Sequence, residues 1–344
     1  MGGDQAPAAI VKGAVLAVRE LGIPLILVGN QDLIAKELTG LTYPPNLIDI
    51  RHCTEVAEMG ESPIGVIRRK KDASIRVALD LVKQGEAQGV VSAGNSGATM
   101  ALGVVVLGKL HGVERPALGA ILPSHSSSTL VIDVGANVDC TASQLVQFAI
   151  MAEPLARYIM KRPNPRVGIM SIGEEESKGN DLVHQTAEIL KKTPLNFIGN
   201  VEGGDIFSGK VDVIVCDGFV GNICLKLSEG LAETLKGMLK EEIGAGLKSK
   251  LGFLFLKSAF QRFSKRVDYA EYGGVPLLGV DGVVVVSHGA SNPRAIMNAI
   301  RVAGQAIENR MVEHVLEGLK NNEAYYRKLK PHRIWDSIKK KISS

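Results

Sequence analysis

The residues of this chain best suited to chemistry are amides, a lysine, carboxylates and a histidine set among glycines. Asn95 and Ser96 lie in G-N-S-G, Asn137 and Asp139 in G-A-N-V-D, and Lys178 and Asn180 in S-K-G-N. Asp217 and Asn222 bound D-G-F-V-G-N, and His288 lies in S-H-G. These groups donate and accept hydrogen bonds, but none is an obvious covalent nucleophile. Ser96 is not in the G-x-S-x-G elbow of acyl-serine enzymes. The sequence has no G-x-x-x-x-G-K-[ST] phosphate loop and no G-x-G-x-x-G after a strand. It has no H-E-x-x-H, and its seven histidines do not cluster at metal spacing. The set suits a bound anion that attacks an electrophile directly while donors stabilise the oxyanion, each worth about 3–4 kcal/mol of barrier. Neither a metal nor a cofactor is expected.

The elements that must position these residues repeat one unit: an apolar β-rich run, a Gly/Asn/Ser turn, then helical periodicity. Strands are predicted at 24–29, 89–93, 129–134, 167–172, 211–216 and 283–286. Runs apolar on both faces fit buried parallel strands, and the alternation with helices implies βαβ crossovers. The fold class read from this pattern is α/β with a doubly wound, mostly parallel sheet. In such a sheet the loops after the strands share one edge and converge on one crevice. A single Gly/Asn loop is adequately explained as a turn; five in succession favour a site for an anion or polar ligand.

Composition fits this class: hydrophobic residues make up 45% of 344 residues and aromatic ones only 4%, with 38 glycines. The four cysteines are scattered without a C-x-x-C pair, which argues against a zinc site or disulfide framework and for a reduced, cytoplasmic compartment. Met1-Gly2-Gly3-Asp4 opens the sequence as a turn instead of a basic apolar leader. No apolar run reaches membrane-spanning length. The net charge is +4, but basic residues concentrate in two places. Residues 248–266 hold six Lys/Arg and no acid, and residues 320–344 hold eight against two acids. Local anionic surfaces are the expected partners, not nucleic acid.

The loops occur in the order M-G-G-D, S-A-G-N-S-G-A, D-V-G-A-N-V-D, S-K-G-N, D-G-F-V-G-N, Y-G-G-V-P-L-L-G and S-H-G-A-S. In this order the chain closely resembles the bacterial acyl-carrier-protein:phosphate acyltransferases from Met1 to about residue 320. The resemblance implies a fold related to isocitrate and isopropylmalate dehydrogenases and to phosphotransacetylase, with a protruding helical hairpin at about 223–270. It implies a homodimer of two-lobed chains, acyl carrier protein as donor and inorganic phosphate as acceptor. The acyl phosphate would pass to a membrane glycerol-3-phosphate acyltransferase for phosphatidic acid synthesis. On this resemblance Lys178 holds phosphate or polarises the thioester carbonyl, Asn222 is an oxyanion donor, and Asn180 stands beside them. Asp4, Asn95, Ser96, Asn137, Asp139, Asp217 and His288 line the substrate crevice. For Asn95 and Ser96 turn geometry and helix capping are the competing explanation, and for Lys178 neutralisation of Glu174–Glu176. His288 is read as structural more than as a base, and the aspartates as orienting the donors. Family members carry a short apolar strand ahead of M-G-G-D, whereas Met1 is here that loop's own methionine, and Gln5 stands where histidine is frequent.

Two basic regions complete the reading. Arg68, Arg69, Lys70 and Lys71 are expected to begin a helix, either docking acidic acyl carrier protein or as a solvated face. Leu251, Phe253, Leu254, Phe255, Phe260 and Phe263 lie among the cations of 248–266, as in segments that rest on a bilayer interface. The competing reading is packing against a second copy; with both, the protein sits reversibly on the inner membrane face. The basic tail 321–344 is either a second lipid contact or disordered. A phosphotransacetylase-like enzyme using acyl-CoA and a non-catalytic membrane-surface adaptor are the alternatives for the whole chain.

Overall fold

The computed structural model describes residues 1–125, 127–244, 246–267, 271 and 273–326. The chain opens with α1 (Ala8–Leu21), β1 (Leu25–Gly29), α2 (Gln31–Leu38), β2 (Ile48–His52), α3 (Pro63–Arg69), α4 (Ser74–Lys83), β3 (Gly89–Ser92) and α5 (Ser96–Val106). Its middle comprises β4 (Ala117–Pro123), β5 (Ser128–Ile132), α6 (Ala142–Pro154), β6 (Val167–Met170), α7 (Asp181–Leu190), β7 (Phe197–Val201), α8 (Asp205–Ser208) and β8 (Val213–Val215). Then come α9 (Gly218–Gly244), α10 (Leu247–Val267), β9 (Val275–Leu278), β10 (Val283–Val286), α11 (Pro293–Glu308) and α12 (Met311–Tyr326). The basic tail expected after residue 320 lies outside the described residues from 327 onward.

The central expected strands form because their apolar runs are buried on both faces: Leu130, Val131 and Ile132 of β5 and all of β8 are inaccessible. Side-chain caps start the helices that follow, Asn95 for α5, Thr141 with Gln144 for α6, Asn180 for α7 and Asn292 for α11. Each satisfies backbone N–H groups that would otherwise lack partners. The main core lies between α6 and the β5–β8–β6 strands, with Phe148, Leu145 and Met151 fully enclosed.

Eight strands form one sheet in the order β3-β10-β9-β4-β5-β8-β6-β7, with helices on both faces, as expected for a doubly wound sheet. Pairing within β3–β10 is parallel, and so is pairing within β5–β8–β6–β7. Three antiparallel junctions, β10–β9, β9–β4 and β4–β5, separate these blocks and reverse their direction. The expectation that all strand-end loops share one edge is therefore corrected. Loops after β3 and β10 leave one edge, and loops after β5, β8 and β6 leave the other. From β3 to β8 there are five strand steps, so the usual twist turns the two blocks by roughly 100–125° relative to each other. This swing brings the two loop sets partway back toward a common side.

β1 and β2 form a separate parallel pair. Between β1 and β3 lies a slot of about 920 Å³, lined by Leu25, Leu27, Val90, Ile296 and Ile300, with Met1 and Gly3 also on its wall. Met1 fits against Gly29, where a Cβ would meet its side chain at 2.4 Å.

An ion pair fixes the register of the lower block. Asp212, just ahead of β8, accepts from the backbone and the guanidinium of Arg166, just ahead of β6, at 2.9–3.1 Å. Burial pushes the Asp212 carboxyl up, and the hydrogen bonds and charge of Arg166 outweigh it, leaving the group below the usual carboxylate range. Its stabilisation is thus complete above about pH 4 and fades as pH falls through the lower folded value. Asp212→Asn is expected to cost roughly 3 kcal/mol near pH 7. In urea titrations the gap from wild type should close below pH 4; a gap constant with pH would reject the charge account.

Candidate active site

The loop after β5 is organised by one buried carboxylate. Asp133 Oδ1 accepts from the N–H groups of Leu118 at 2.9 Å, Ala136 at 3.1 Å and Gly135 at 3.3 Å. Its Oδ2 accepts from Asn137 N at 2.6 Å and Asn137 Nδ2 at 3.0 Å. Burial pushes this carboxyl above the ordinary carboxylate range, outweighing the N–H donors of Leu118, Ala136 and Asn137 that pull it down. The start of α9 is pressed onto this hub. Gly218 donates to Asn137 O at 2.7 Å, and a Cβ on Gly221 would lie 1.9 Å from Asp133 O. Asn222 is thereby carried against Gly135, its Oδ1 3.5 Å from where a Cβ there would stand. α9 begins at Gly218, not at the expected 223, so Asn222 occupies a helical turn and not a loop. Asp217 caps this helix through Val220 N at 2.9 Å.

The neighbouring loop after β6 carries Lys178. Asn200 of β7 clasps it, donating to the carbonyls of Glu175 at 2.8 Å and Lys178 at 3.1 Å. Gly179 has φ +111°, and any Cβ there would meet Val183 at 2.7 Å, so glycine is required. Glu174 pairs with Lys210 and Glu176 with Lys191. Among the described residues Lys178 is exposed and in no ion pair, although the Glu175 carboxylate and the Lys178 stem both border Gly173. Asn180 is used as the α7 cap, accepting from Val183 N at 3.0 Å. Asp139 is exposed on the same edge.

The second set lies at the β3–β10 edge. Asp4 N donates to Gly289 O at 2.9 Å, and a Cβ on Gly3 would meet Ala93 O at 2.9 Å, so the first turn sits between the other two loops. Ser96 is exposed at the first turn of α5. His288 is exposed, and its Nδ1 accepts from Ala290 N at 3.1 Å. Asn95 is buried, with Oδ1 capping Ala98 N and Nδ2 donating to the carbonyls of Glu58, Met59 and Glu61. Asn137 similarly spends its Nδ2 on Pro116 O and Asp133. Both amides hold loops in place and have no free N–H to offer a ligand. Residues that sequence reading did not single out include Asn200, Gly221 and Ser171, whose buried hydroxyl has no hydrogen-bond partner among the described residues. No local pattern marks Asn200, since its strand was not read at all.

Cysteines flank this edge without being activated. Cys140 donates to Asn137 O at 3.4 Å, and burial together with the Asp133 charge pushes its thiol up to about 12. Burial also pushes up Cys216 and Cys224. Such thiols hold almost no thiolate at neutral pH. Cys140→Ala is expected to retain turnover within about twofold; loss of activity with the fold intact would revive an acyl-cysteine route. No group of three His, Cys, Asp or Glu side chains among the described residues could hold a metal ion.

The remaining candidates lie elsewhere. Arg68 and Arg69 end α3 instead of beginning a helix, because Ser62 caps it and Pro63 starts it, ahead of the expected position. Lys70 is tied to Glu61 at 2.7 Å and Lys71 to Ile67 O at 3.3 Å, which leaves Arg68 and Arg69 as the exposed, uncommitted cations of the four. On α10, Leu251, Phe255 and Phe263 are exposed, while Phe253 packs on Phe260 with ring centroids 5.4 Å apart. The Leu254 side chain lies outside the described residues. No described helix is long and apolar enough to cross a membrane.

The profile of a family described as "Fatty acid synthesis protein" matches residues 1–314. A phosphate acyltransferase of Geotalea uraniireducens is 54% identical over 326 residues, covering 95% of this chain and 94% of that protein. Its counterpart in Geobacter sulfurreducens is 53% identical over the same length and shares. Among solved structures, a Streptococcus pyogenes phosphotransacetylase superposes with TM-score 0.61 at 20% identity, covering 88% and 92% of the two chains. A Klebsiella pneumoniae 4-hydroxythreonine-4-phosphate dehydrogenase gives 0.52 at 12%, covering 88% and 95%. The fold is thus the α/β fold shared by phosphotransacetylases and this dehydrogenase, and the protein is an acyltransferase. The chain belongs to the phosphate acyltransferase family.

Proposed function

We propose that the protein transfers a fatty acyl group from acyl carrier protein to inorganic phosphate, and that the β5–β8–β6 edge handles the carbonyl. A phosphate oxygen attacks the thioester carbon, the C–S bond breaks, and sulfur leaves with the bonding pair. The proton of hydrogenphosphate ends on that sulfur, so acyl phosphate and free thiol are the products. Phosphate is already anionic near neutral pH and needs little activation. The work left to the protein is positioning and stabilising the oxyanion. Lys178 supplies the charge and Asn222 a side-chain donor, with Asp139, Asp217 and Asn180 around them. Asp4, Ser96 and His288 approach from the β3–β10 edge, their loops shaped by Asn95. The observation that carries this reading is the placement of Asn222 on the Asp133 hub, one strand away from the uncommitted Lys178.

Several further features support an assembly around this site. Arg68 and Arg69 offer exposed positive charge to acidic acyl carrier protein. Along α9, Ile223, Leu227, Leu231, Leu235 and Met238 are more than half or about half exposed at near-helical spacing. Such a stripe suits a second copy of the chain. The exposed Phe255 and Phe263 suit contact with a membrane, where a glycerol-3-phosphate acyltransferase would consume the product for phospholipid synthesis. The test is hydroxylamine trapping with phosphate and either palmitoyl–acyl carrier protein or palmitoyl-CoA. Phosphate-dependent hydroxamate from the carrier protein supports the reading. Product from the CoA ester alone would favour a phosphotransacetylase-like donor, and none from either would reject acyl transfer to phosphate.

A further inference from the structure

Three large apolar side chains stand out in solvent on the donor-bearing edge: Val138 at 59%, Ile172 at 82% and Phe219 at 58% exposure. Val138 and Ile172 come from the loops after β5 and β6, and Phe219 from the first turn of α9, just after β8. Ile132, Val215 and Ile169 are in register across β5, β8 and β6, so the residues that follow these strands leave the sheet side by side. Val138 lies between Asn137 and Asp139, and Phe219 follows Gly218, whose Cβ would touch Asn137 O at 2.7 Å. Ile172 precedes Gly173, where a Cβ would meet the Lys178 side chain at 2.8 Å. Ile172 is thus tied to the Lys178 loop, and Val138 and Phe219 to the Asp133–Asn137 hub against which Asn222 is placed. Leaving three such groups in water is unfavourable unless something apolar covers them.

We infer that Val138, Ile172 and Phe219 form the contact surface for the hydrocarbon chain of the acyl donor, beginning beside its reacting carbonyl. The inference rests on the acyl-transfer reading above and adds a specificity determinant to it. Phe219 continues the α9 stripe one turn before Ile223, whereas Val138 and Ile172 lie off that stripe and border the donor loops, which favours the substrate over a second copy as their occupant. A methylene moved fully onto such a surface is worth about a fourfold gain. Long-chain donors should therefore react better than short ones, and removing the surface should flatten that dependence.

The test compares kcat/KM for palmitoyl and butyryl donors, read by hydroxylamine trapping, in Ile172→Ser, Phe219→Ser and the double variant. The palmitoyl-to-butyryl ratio is expected to fall at least about fivefold in the double variant. Ile172→Val and Phe219→Leu should preserve it, and so should Leu33→Ser, an exposed apolar residue of α2 remote from these loops. Ile172→Ser keeps the test open if the double variant folds poorly, since its site is largely in solvent. An unchanged ratio with turnover retained overturns the inference and leaves acyl transfer standing. An unchanged ratio accompanied by a lower mass in solution overturns it in favour of a second copy. Absence of phosphate-dependent product from the unaltered protein at every chain length brings down both readings together.

Discussion

Lys178→Ala is expected to lower kcat/KM by 100-fold or more, about 2.7–4 kcal/mol of lost transition-state stabilisation. The side chain is exposed and in no ion pair among the described residues, so removing it should leave stability near that of the wild type. The loop itself is held by Asn200 through backbone carbonyls and by the glycine at 179, neither of which depends on the ammonium group. A charge that only balanced Glu174 and Glu176 would produce little change, because these already have Lys210 and Lys191. The discriminating measurement is a steady-state comparison at saturating and limiting phosphate, with urea unfolding as the control. A loss smaller than tenfold, about 1.4 kcal/mol, would remove Lys178 from the chemistry.

Gly221→Ala gives an effect of the opposite origin, in which packing governs chemistry. Helix propensity alone predicts that alanine inside α9 stabilises the protein by about 1 kcal/mol. Sterics predict the reverse: the new Cβ would lie 1.9 Å from Asp133 O, 2.9 Å from Asp133 C and 3.0 Å from Cys216 Sγ. The first two are backbone atoms of a loop anchored by five hydrogen bonds, so they cannot yield cheaply. A net loss of at least about 3 kcal/mol is expected, together with at least a 100-fold fall in kcat, since Asn222 shifts with the helix and misplacement by an ångström costs that much. Gly230→Ala, on the same helix with nothing within 4 Å of its Cβ, should instead be neutral or stabilising. If Gly221→Ala behaves like Gly230→Ala, the contact between α9 and the Asp133 hub does not govern the site.

Much of the fold can be read in the sequence because six strands announce themselves as apolar runs followed by Gly/Asn turns. β4 and β9 do not. A-L-G-A-I-L-P and V-P-L-L carry glycine or proline inside the run, which normally counts against a strand. Missing these two antiparallel strands is what made the strand-end loops look as though they shared one edge. β2 and β7 are hidden by polar residues, and with β7 went Asn200. The family motifs single out Lys178 and Asn222 but do not describe what their neighbours do. Asn95 and Asn137 look like ligands by residue type, yet tertiary carbonyls from residues distant in sequence claim their amides. α9 starts early for the same reason: G-F-V-G reads locally as a turn and becomes helical because its glycines can approach Asp133 and Asn137.

The connectivity of the sheet also sets an order of assembly. β4 through β8 occupy one continuous stretch, 117–215, and can pair as soon as that stretch has left the ribosome. β3 must wait for β10, and α1 packs on α11, with Ile296 seated where Gly13 leaves room. β3 and β10 are separated by more than half of the chain, and α1 and α11 by most of it, so loop closure delays them most. During synthesis α1, α2, β1 and β2 can gather a small core of their own, but β3 and the face of α1 that holds Ala17 lack their partners until the last sixth emerges. This is the interval in which those two surfaces are open to aggregation.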